Sequence, residues 1–593
     1  MDYEVIIIGG GHAACEAAAA AAKMTQRAAM VTMNPDAIAR MSCNPAIGGL
    51  GKGQIVREID ALGGLMALAT DATGIQFRTL NRSKGPAVQS PRAQADKAAY
   101  ARWMTEKLTQ LPGLDILAGT VCEILVKSGQ AAGVVCADGR KITASAVVLT
   151  TGTFLAAKLY RGEEVWEGGR IGEGAAHQLA DNLRFLGFDL YQMKTGTPPR
   201  VLRGSLDFDR MTVQPGDSPP VPFSCLTDRL EQEQLPCWLT YTNAETHAII
   251  RAEMHRSPGR MLSKTAAPAR YCPSIEDKIE KFPDKTRHQI FLEPEGCRSD
   301  WVYCNGLFTS LPGEVQDRLV RTIPGMERAE VCQYGYAVGY DMVPPEQLQS
   351  SLETRRIGGL FLAGQINGTS GYEEAAGQGL IAGINAVRFV HKRTPLILRR
   401  DQAYIAVMID DLVTKGTDEP YRMFTSRAEY RLGLRADNAD QRLTPIGRAI
   451  GLVDDCRWDR FSAKIAGLAA IRSRLKTLRL ENRPAMEVLV RPTANYSPGD
   501  LLPNADPALL GQVLIEIKYA GYLAKERRQI EKFRTLESRR IPAWVDFSVI
   551  PGLRREAREK FASIRPHSLG QAARIPGITP ADLAVLHIFL HGQ

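Results

Sequence analysis

The chain opens on an apolar run, Tyr3-Glu4-Val5-Ile6-Ile7-Ile8, that stops at three glycines and gives way to an alanine stretch, Ala17 to Ala22. A short β-branched run bounded by glycine predicts a buried strand, and the alanine stretch predicts a helix. The first 35 residues thus read strand, glycine turn, helix, second strand, the start of a βαβ unit with a parallel sheet. From 42 to 92 the periodicity breaks: Asn44-Pro45, Gly48-Gly49, Gly51, Gly53, Gly63-Gly64 and Gly85-Pro86 predict mostly loop around short helices. Ala93 to Leu111 has helical spacing, and 114 to 150 alternates as short strands ending in Val147-Val148-Leu149-Thr150. Residues 190 to 310, rich in Pro, Thr and aromatic side chains, predict a mixed α+β insertion of low helix content. A strand at Gly359 to Ala363 and a helix-like run from Glu373 to Val390 predict a return to the first domain, and from about 395 the chain reads as helical.

The glycines after the first strand sharpen this picture. Gly9-Gly10-Gly11-His12-Ala13-Ala14 fits G-x-G-x-x-G/A, with Ala14 in the third place. Gly9 and Gly11 let the backbone turn tightly and approach a pyrophosphate, whose charge meets free amides at the helix start. The usual acidic ribose ligand is missing after the second strand, Val31-Thr32-Met33-Asn34-Pro35, which leaves Asn34 or Asp36 as substitutes. Two further glycine segments, Thr150-Thr151-Gly152-Thr153 and Leu362-Ala363-Gly364-Gln365-Ile366-Asn367-Gly368, fit a dinucleotide wrapped by a discontinuous domain, as flavin folds commonly show. The predicted class is α/β: a Rossmann-like domain from 1–190 and 311–394, an inserted α+β domain at 191–310 and a helical domain at 395–593. Gly48-Gly49-Leu50-Gly51-Lys52-Gly53 has Ala46 and Gly53 where a phosphate loop needs Gly and Ser or Thr, so triphosphate hydrolysis is excluded, although Lys52 remains a candidate phosphate ligand.

Composition changes the picture in two ways. Of the net charge of +9, residues 391–593 carry +11, with 34 Lys and Arg against 23 Asp and Glu, so the C-terminal third is expected to meet a polyanion. Arg472, Arg474, Lys476 and Arg479 cluster there, as do Arg527, Arg528, Lys532 and Arg534. The 11 cysteines form no C-x-x-C pair, which argues against a disulfide framework or a zinc site and for a reducing cytoplasm. No apolar stretch reaches the roughly 18 to 20 residues of a membrane span, and no basic leader precedes the first strand. Cys43 and Cys272 lie in loop sequences beside Asn-Pro and Pro-Ser. A thiolate attacks electron-poor carbon when cations or helix amides favour it, and Arg270 is two residues from Cys272.

Long strings make the sequence resemble the MnmG (GidA) family: Met41-Ser42-Cys43-Asn44-Pro45-Ala46-Ile47-Gly48-Gly49, Lys194-Thr195-Gly196-Thr197-Pro198-Pro199-Arg200, Phe291-Leu292-Glu293-Pro294-Glu295-Gly296 and Glu419-Pro420-Tyr421-Arg422-Met423-Phe424-Thr425-Ser426-Arg427-Ala428-Glu429-Tyr430-Arg431. The resemblance implies an FAD-dependent tRNA-modifying enzyme. It would add a carboxymethylaminomethyl group to carbon 5 of the wobble uridine, using methylenetetrahydrofolate, glycine or ammonium, and NADH. It also implies the GTPase MnmE as partner and a homodimer within a heterotetrameric complex. FAD contacts are implied at Gly9, Gly10, Gly11, His12, Ala13, Ala14, Val121, Ala176 and Gln365. An NADH-associated segment is implied at Pro268-Ala269-Arg270-Tyr271-Cys272-Pro273-Ser274-Ile275-Glu276-Asp277-Lys278-Ile279-Glu280-Lys281-Phe282, and Cys43 and Cys272 become the functional cysteines. Ala14 and Ala176 depart from the family's usual glycine and serine, which leaves backbone or van der Waals contacts there. Rival expectations are a folate- and FAD-dependent tRNA uridine methyltransferase, which lacks the long C-terminal extension, a small-molecule flavin oxidoreductase, and a non-catalytic RNA-binding scaffold.

Overall fold

The computed structural model describes residues 1–25, 27–258, 273–491, 496, 501–542 and 544–591. Its central sheet has parallel strands in the order Leu114–Ala118, Ala28–Thr32, Tyr3–Ile8, Lys141–Leu149 and Leu360–Leu362. Ile6 stands opposite both Ala29 and Val147, and Phe361 opposite Val148. Val5, Ile6 and Ile7 are fully buried, as expected of a parallel strand covered on both faces. The antiparallel hairpin Val121–Lys127 and Gln130–Cys136 joins the first half of Lys141–Leu149.

The alanine stretch forms the helix His12–Met24, in which every residue from His12 to Ala22 is buried. Its neighbour is the helix Tyr372–Val390, and the two backbones nearly touch. A Cβ on Gly379 would lie 2.0 Å from the Ala13 carbonyl oxygen, and one on Gly383 would lie 2.5 Å from that of Ala17. Small residues on both helices permit this approach, so the return of the chain at 359–390 completes the first domain's core.

Residues 42–92 hold more regular structure than their glycines predict. The helices Lys52–Leu62 and Met66–Thr73 stand beside an antiparallel sheet of Ala46–Gly48, Ser90–Ala95 and Gly74–Leu80. The glycines serve contact instead of flexibility: a Cβ on Gly48 or on Gly53 would sit 2.4 Å from the Pro91 carbonyl oxygen. The helix expected from Ala93 begins later. Ala93 and Ala95 complete a strand, Asp96 caps the next turn through Ala99 N–H at 2.9 Å, and the helix runs Lys97–Thr109.

A second core lies under a six-stranded antiparallel sheet ordered Thr212–Gln214, Cys237–Tyr241, Gln289–Pro294, Trp301–Asn305, Arg200–Leu202 and Val331–Gln333. Between the two cores runs a four-stranded sheet whose central strand, Tyr336–Met342, is buried throughout.

The C-terminal part is helical. Tyr404–Lys415 packs into the first domain, and two smaller cores follow, one centred on Leu468, Leu475, Leu510 and Val513, the other on Phe547, Phe561, Ala572 and Leu586. Ion pairs tie these helices back: Arg457 to Asp60 at 2.8 Å, and Arg574 to Asp410 at 2.6 Å. Arg400 links Asp410, Asp411 and Glu429. Pro551-Gly552-Leu553 and Ile575-Pro576-Gly577-Ile578 are turns at helix starts, with Gly552 and Gly577 at φ +77° and +84°. Among the described residues no helix is long and apolar enough to cross a membrane.

Candidate active site

At the C-terminal ends of the parallel strands, where open α/β sheets bind ligands, lies a cavity of about 580 Å³. The glycine turn forms one wall. Gly9 has φ +118°, and a Cβ there would strike the Thr150 carbonyl at 2.6 Å; one on Gly10 would meet Thr32 Oγ1 at 2.8 Å. A Cβ on Gly11 would meet nothing within 4 Å, so this glycine leaves open space in front of the helix start. The helix His12–Met24 begins without a side-chain cap, and its first amides have no acceptor within the helix. That arrangement suits an anionic group such as a pyrophosphate.

Of the residues expected to contact FAD, Gly9, Gly10, Gly11, His12, Ala13, Val121, Ala176 and Gln365 line the cavity. Ala14 does not: it is fully buried in the helix packing, where the close approach is supplied by Gly379 and Gly383 instead. Asn34 lines the cavity and its side-chain oxygen accepts from Asp36 N–H at 2.9 Å, while Asp36 lies outside the lining. Lys52 also lines it, held between Glu373 at 2.9 Å and Glu374 at 3.0 Å. Burial opposes its ammonium, but the two carboxylates keep its pKa above the ordinary lysine value. Its charge is thus committed to structure.

His12 stacks on Tyr372 with centroids 4.4 Å apart. Burial, with Arg170 nearby, pushes its pKa down to about 3, so the imidazole is neutral. Tyr372 in turn accepts the Cys43 backbone N–H at 2.8 Å, and Cys43 Sγ lies 3.0 Å from the Tyr303 hydroxyl. Cys43 is half-buried and lines the cavity. Most other cysteines are held as thiols by burial: Cys237 and Cys225 are pushed up to about 12, and Cys15 and Cys304 higher still. Neither Tyr303 nor Tyr372 stands out in the sequence, because no spacing rule connects them to Cys43.

Of the NADH-associated segment, Pro268, Ala269, Arg270, Tyr271 and Cys272 lie outside the described residues. Pro273 and Lys278 line the cavity, and Lys278 Nζ donates to the Gly306 carbonyl at 2.7 Å. Ser274 and Asp277 form a capping box for the helix Ile275–Lys281. Ile275 and Ile279 are buried in the second core, and Glu276 is buried against Ser257 and Thr309, with burial raising its carboxyl. Glu280, Lys281 and Phe282 are exposed.

The chain matches the family model "Glucose inhibited division protein A" over residues 4–394. The MnmG/GidA C-terminal helical domain matches over 455–527 and the C-terminal helical bundle over 529–593. It is 51% identical over 610 residues to the tRNA uridine 5-carboxymethylaminomethyl modification enzyme MnmG of Syntrophotalea carbinolica, covering 99% of this chain and 98% of that one. To the enzyme of the same name from Caldicellulosiruptor saccharolyticus it is 48% identical, with 99% and 98% covered. The Aquifex aeolicus GidA structure in its form I crystal superposes with a TM-score of 0.94 at 46% identity, covering 100% of both chains. With the whole length matched in sequence and fold, and the glycine turn, Cys43 loop and cavity assembled in one place, the chain belongs to the GidA (MnmG) family.

Proposed function

We propose that the protein is an FAD-dependent enzyme that adds a carboxymethylaminomethyl group to carbon 5 of the tRNA wobble uridine. The observation that carries this reading is the full-length match to relatives named for that modification, at 51% and 48% identity. The cavity chemistry fits FAD: Gly11 leaves room, the first amides of His12–Met24 would hold its pyrophosphate, and Val121, Ala176 and Gln365 would border the remainder. FAD, when bound there, supplies two-electron redox chemistry, with NADH and methylenetetrahydrofolate as co-substrates.

Uracil carbon 5 is a weak nucleophile until carbon 6 is attacked. Cys43, having lost its thiol proton, forms a bond from Sγ to carbon 6, and the C5–C6 π electrons move onto the O4 enolate. Carbon 5 then attacks the methylene carbon of methylenetetrahydrofolate as one of its two folate C–N bonds breaks, and the amine of glycine or ammonium displaces the second folate nitrogen, so that tetrahydrofolate leaves with the proton the amine gives up. Loss of the carbon 5 proton and expulsion of the thiolate restore the double bond. Cys272 is the second functional cysteine in this reading. Residues 1–190 with about 334–394 serve FAD; 191–333 serve NADH and substrate, the insertion reaching past the expected end at 310 because Leu311 to Val331 pack in the second core; and 395–593 serve tRNA and the GTPase MnmE, in a homodimer within a heterotetramer. Phosphate contacts from the basic C-terminal third supply salt-sensitive affinity for the tRNA.

The test is nucleoside mass spectrometry on tRNA from cells lacking the protein, complemented with wild type, Cys43→Ser or Cys272→Ser. Wild type restores the mark and the folded, yellow cysteine variants do not. An unchanged wobble uridine in the deletion strain sinks the reading.

A further inference from the structure

The strands Arg200–Leu202 and Trp301–Asn305 are antiparallel neighbours, and Arg200 stands directly opposite Tyr303 in their register. Arg200 is 2% exposed, and its donors are fully engaged. Nε donates to Glu295 at 3.1 Å, Nη1 to Thr197 Oγ1 and to the Pro198 carbonyl at 2.9 Å, and Nη2 to the carbonyls of Ser42 at 3.0 Å and Cys43 at 3.3 Å. The same guanidinium lies 5.1 Å from the centroid of the Tyr303 ring. One buried cation therefore fixes the loop that carries Cys43 and the ring that faces it. The Tyr303 hydroxyl reaches Cys43 Sγ at 3.0 Å across 260 residues of sequence.

Other polar groups around this thiol have different duties. Tyr372 accepts the Cys43 backbone N–H. Lys97 is paired with Glu295 at 2.8 Å, so that one carboxylate balances both Lys97 and Arg200. Tyr336 is buried on the adjoining strand Tyr336–Met342. Among the described residues, Tyr303 makes the side-chain hydrogen bond to Cys43 Sγ.

In the thiol form either atom can donate. Once sulfur loses its proton only the phenol can, and a hydrogen bond to a charged acceptor is the stronger one. Resting on the reading of Cys43 as the nucleophile, we propose that Tyr303 is a further catalytic residue. Its hydroxyl donates to Cys43 Sγ, aims the sulfur into the cavity and stabilises it as the thiolate, with Arg200 the positioning residue for both.

The test uses the full chain and its Tyr303→Phe variant, which keeps the ring and its packing, with iodoacetamide as the probe. Alkylation of Cys43 is followed by peptide mass spectrometry across pH. In that reaction Sγ bonds the methylene carbon, iodide leaves and the thiol proton goes to solvent. Tyr303→Phe is expected to react about tenfold more slowly near pH 7. The two rates converge above about pH 9.5, where an ordinary thiol ionises unaided. Equal rates near pH 7, or a rate changed by the same factor at every pH, overturn the proposal, since a packing defect gives the latter. Modification of tRNA by the same proteins separates the two levels. If Cys43→Ser retains activity, the nucleophile assignment fails and the catalytic role of Tyr303 with it. If Cys43→Ser is inactive while Tyr303→Phe turns over at the wild-type rate, the Tyr303 proposal alone fails.

Discussion

The contact between the helices His12–Met24 and Tyr372–Val390 makes Gly379→Ala a sharp test of how the cavity is built. A methyl group at position 379 would lie 2.0 Å from the Ala13 carbonyl oxygen and 2.6 Å from both Ala13 C and Cα. Ordinary contact needs roughly 3.5 Å, so the helices must separate by about 1.5 Å. The obstacle is backbone, which cannot rotate away as a side chain can. Overpacking of this kind costs about 3 kcal/mol at the upper end of its usual range, and the better helix propensity of alanine returns about 1 kcal/mol. A net loss of about 2 kcal/mol lowers the unfolding temperature of the first domain by about 4–8 °C. Ala13 also lines the cavity in the first turn of its helix, so flavin affinity falls in parallel. Gly521 is the control. It lies in the helix Ala520–Ser538, where a Cβ would meet nothing within 4 Å, and Gly521→Ala is expected to stabilise by about 0.5–1 kcal/mol. Thermal unfolding followed by circular dichroism and by flavin fluorescence reads both variants. If Gly379→Ala melts with wild type and holds flavin equally well, the close helix contact does not support the site.

Two further predictions concern buried charge. His12 titrates near 3 when folded against an ordinary value of 6.5, so between those values the unfolded chain binds the extra proton. Its contribution is full above pH 6.5 and falls by up to about 1.4 kcal/mol per pH unit below it. Glu16, raised to about 7 by burial, tilts the curve the opposite way, so the measurable quantity is the difference between wild type and His12→Gln in urea midpoints from pH 7 to pH 4. No difference in slope refutes the assignment. Lys52→Met leaves Glu373 and Glu374 buried without the cation between them and is expected to cost about 3–5 kcal/mol in urea unfolding. A cost under about 1 kcal/mol would show that the pair is already solvated.

Local structure is what the order of residues sets unaided. The run Val5 to Ile8, the glycines after it and the alanine stretch dictate strand, turn and helix, because each depends on side-chain period and on backbone freedom within a few residues. The return strand at Leu360–Leu362 and the helix Tyr372–Val390 are legible for the same reason. Glycine is where local reading stops. The missing Cβ at 48, 53, 379 and 383 accommodates backbone that arrives from elsewhere in the chain, and nothing near those positions in sequence distinguishes that use from a flexible loop. Hence the strands within 42–92 carry no local signature, and the alanine at position 14 looks like a defect although its counterpart glycines lie on the partner helix. The cysteine site is legible only as two loop thiols. That Cys43 faces Tyr303, and that Arg200 holds both, follows from strand pairing and burial that bring together segments more than 100 residues apart. Contacts of that range are set by which surfaces the whole chain can bury together at close packing, so they arise in the folded molecule and in no shorter stretch of it.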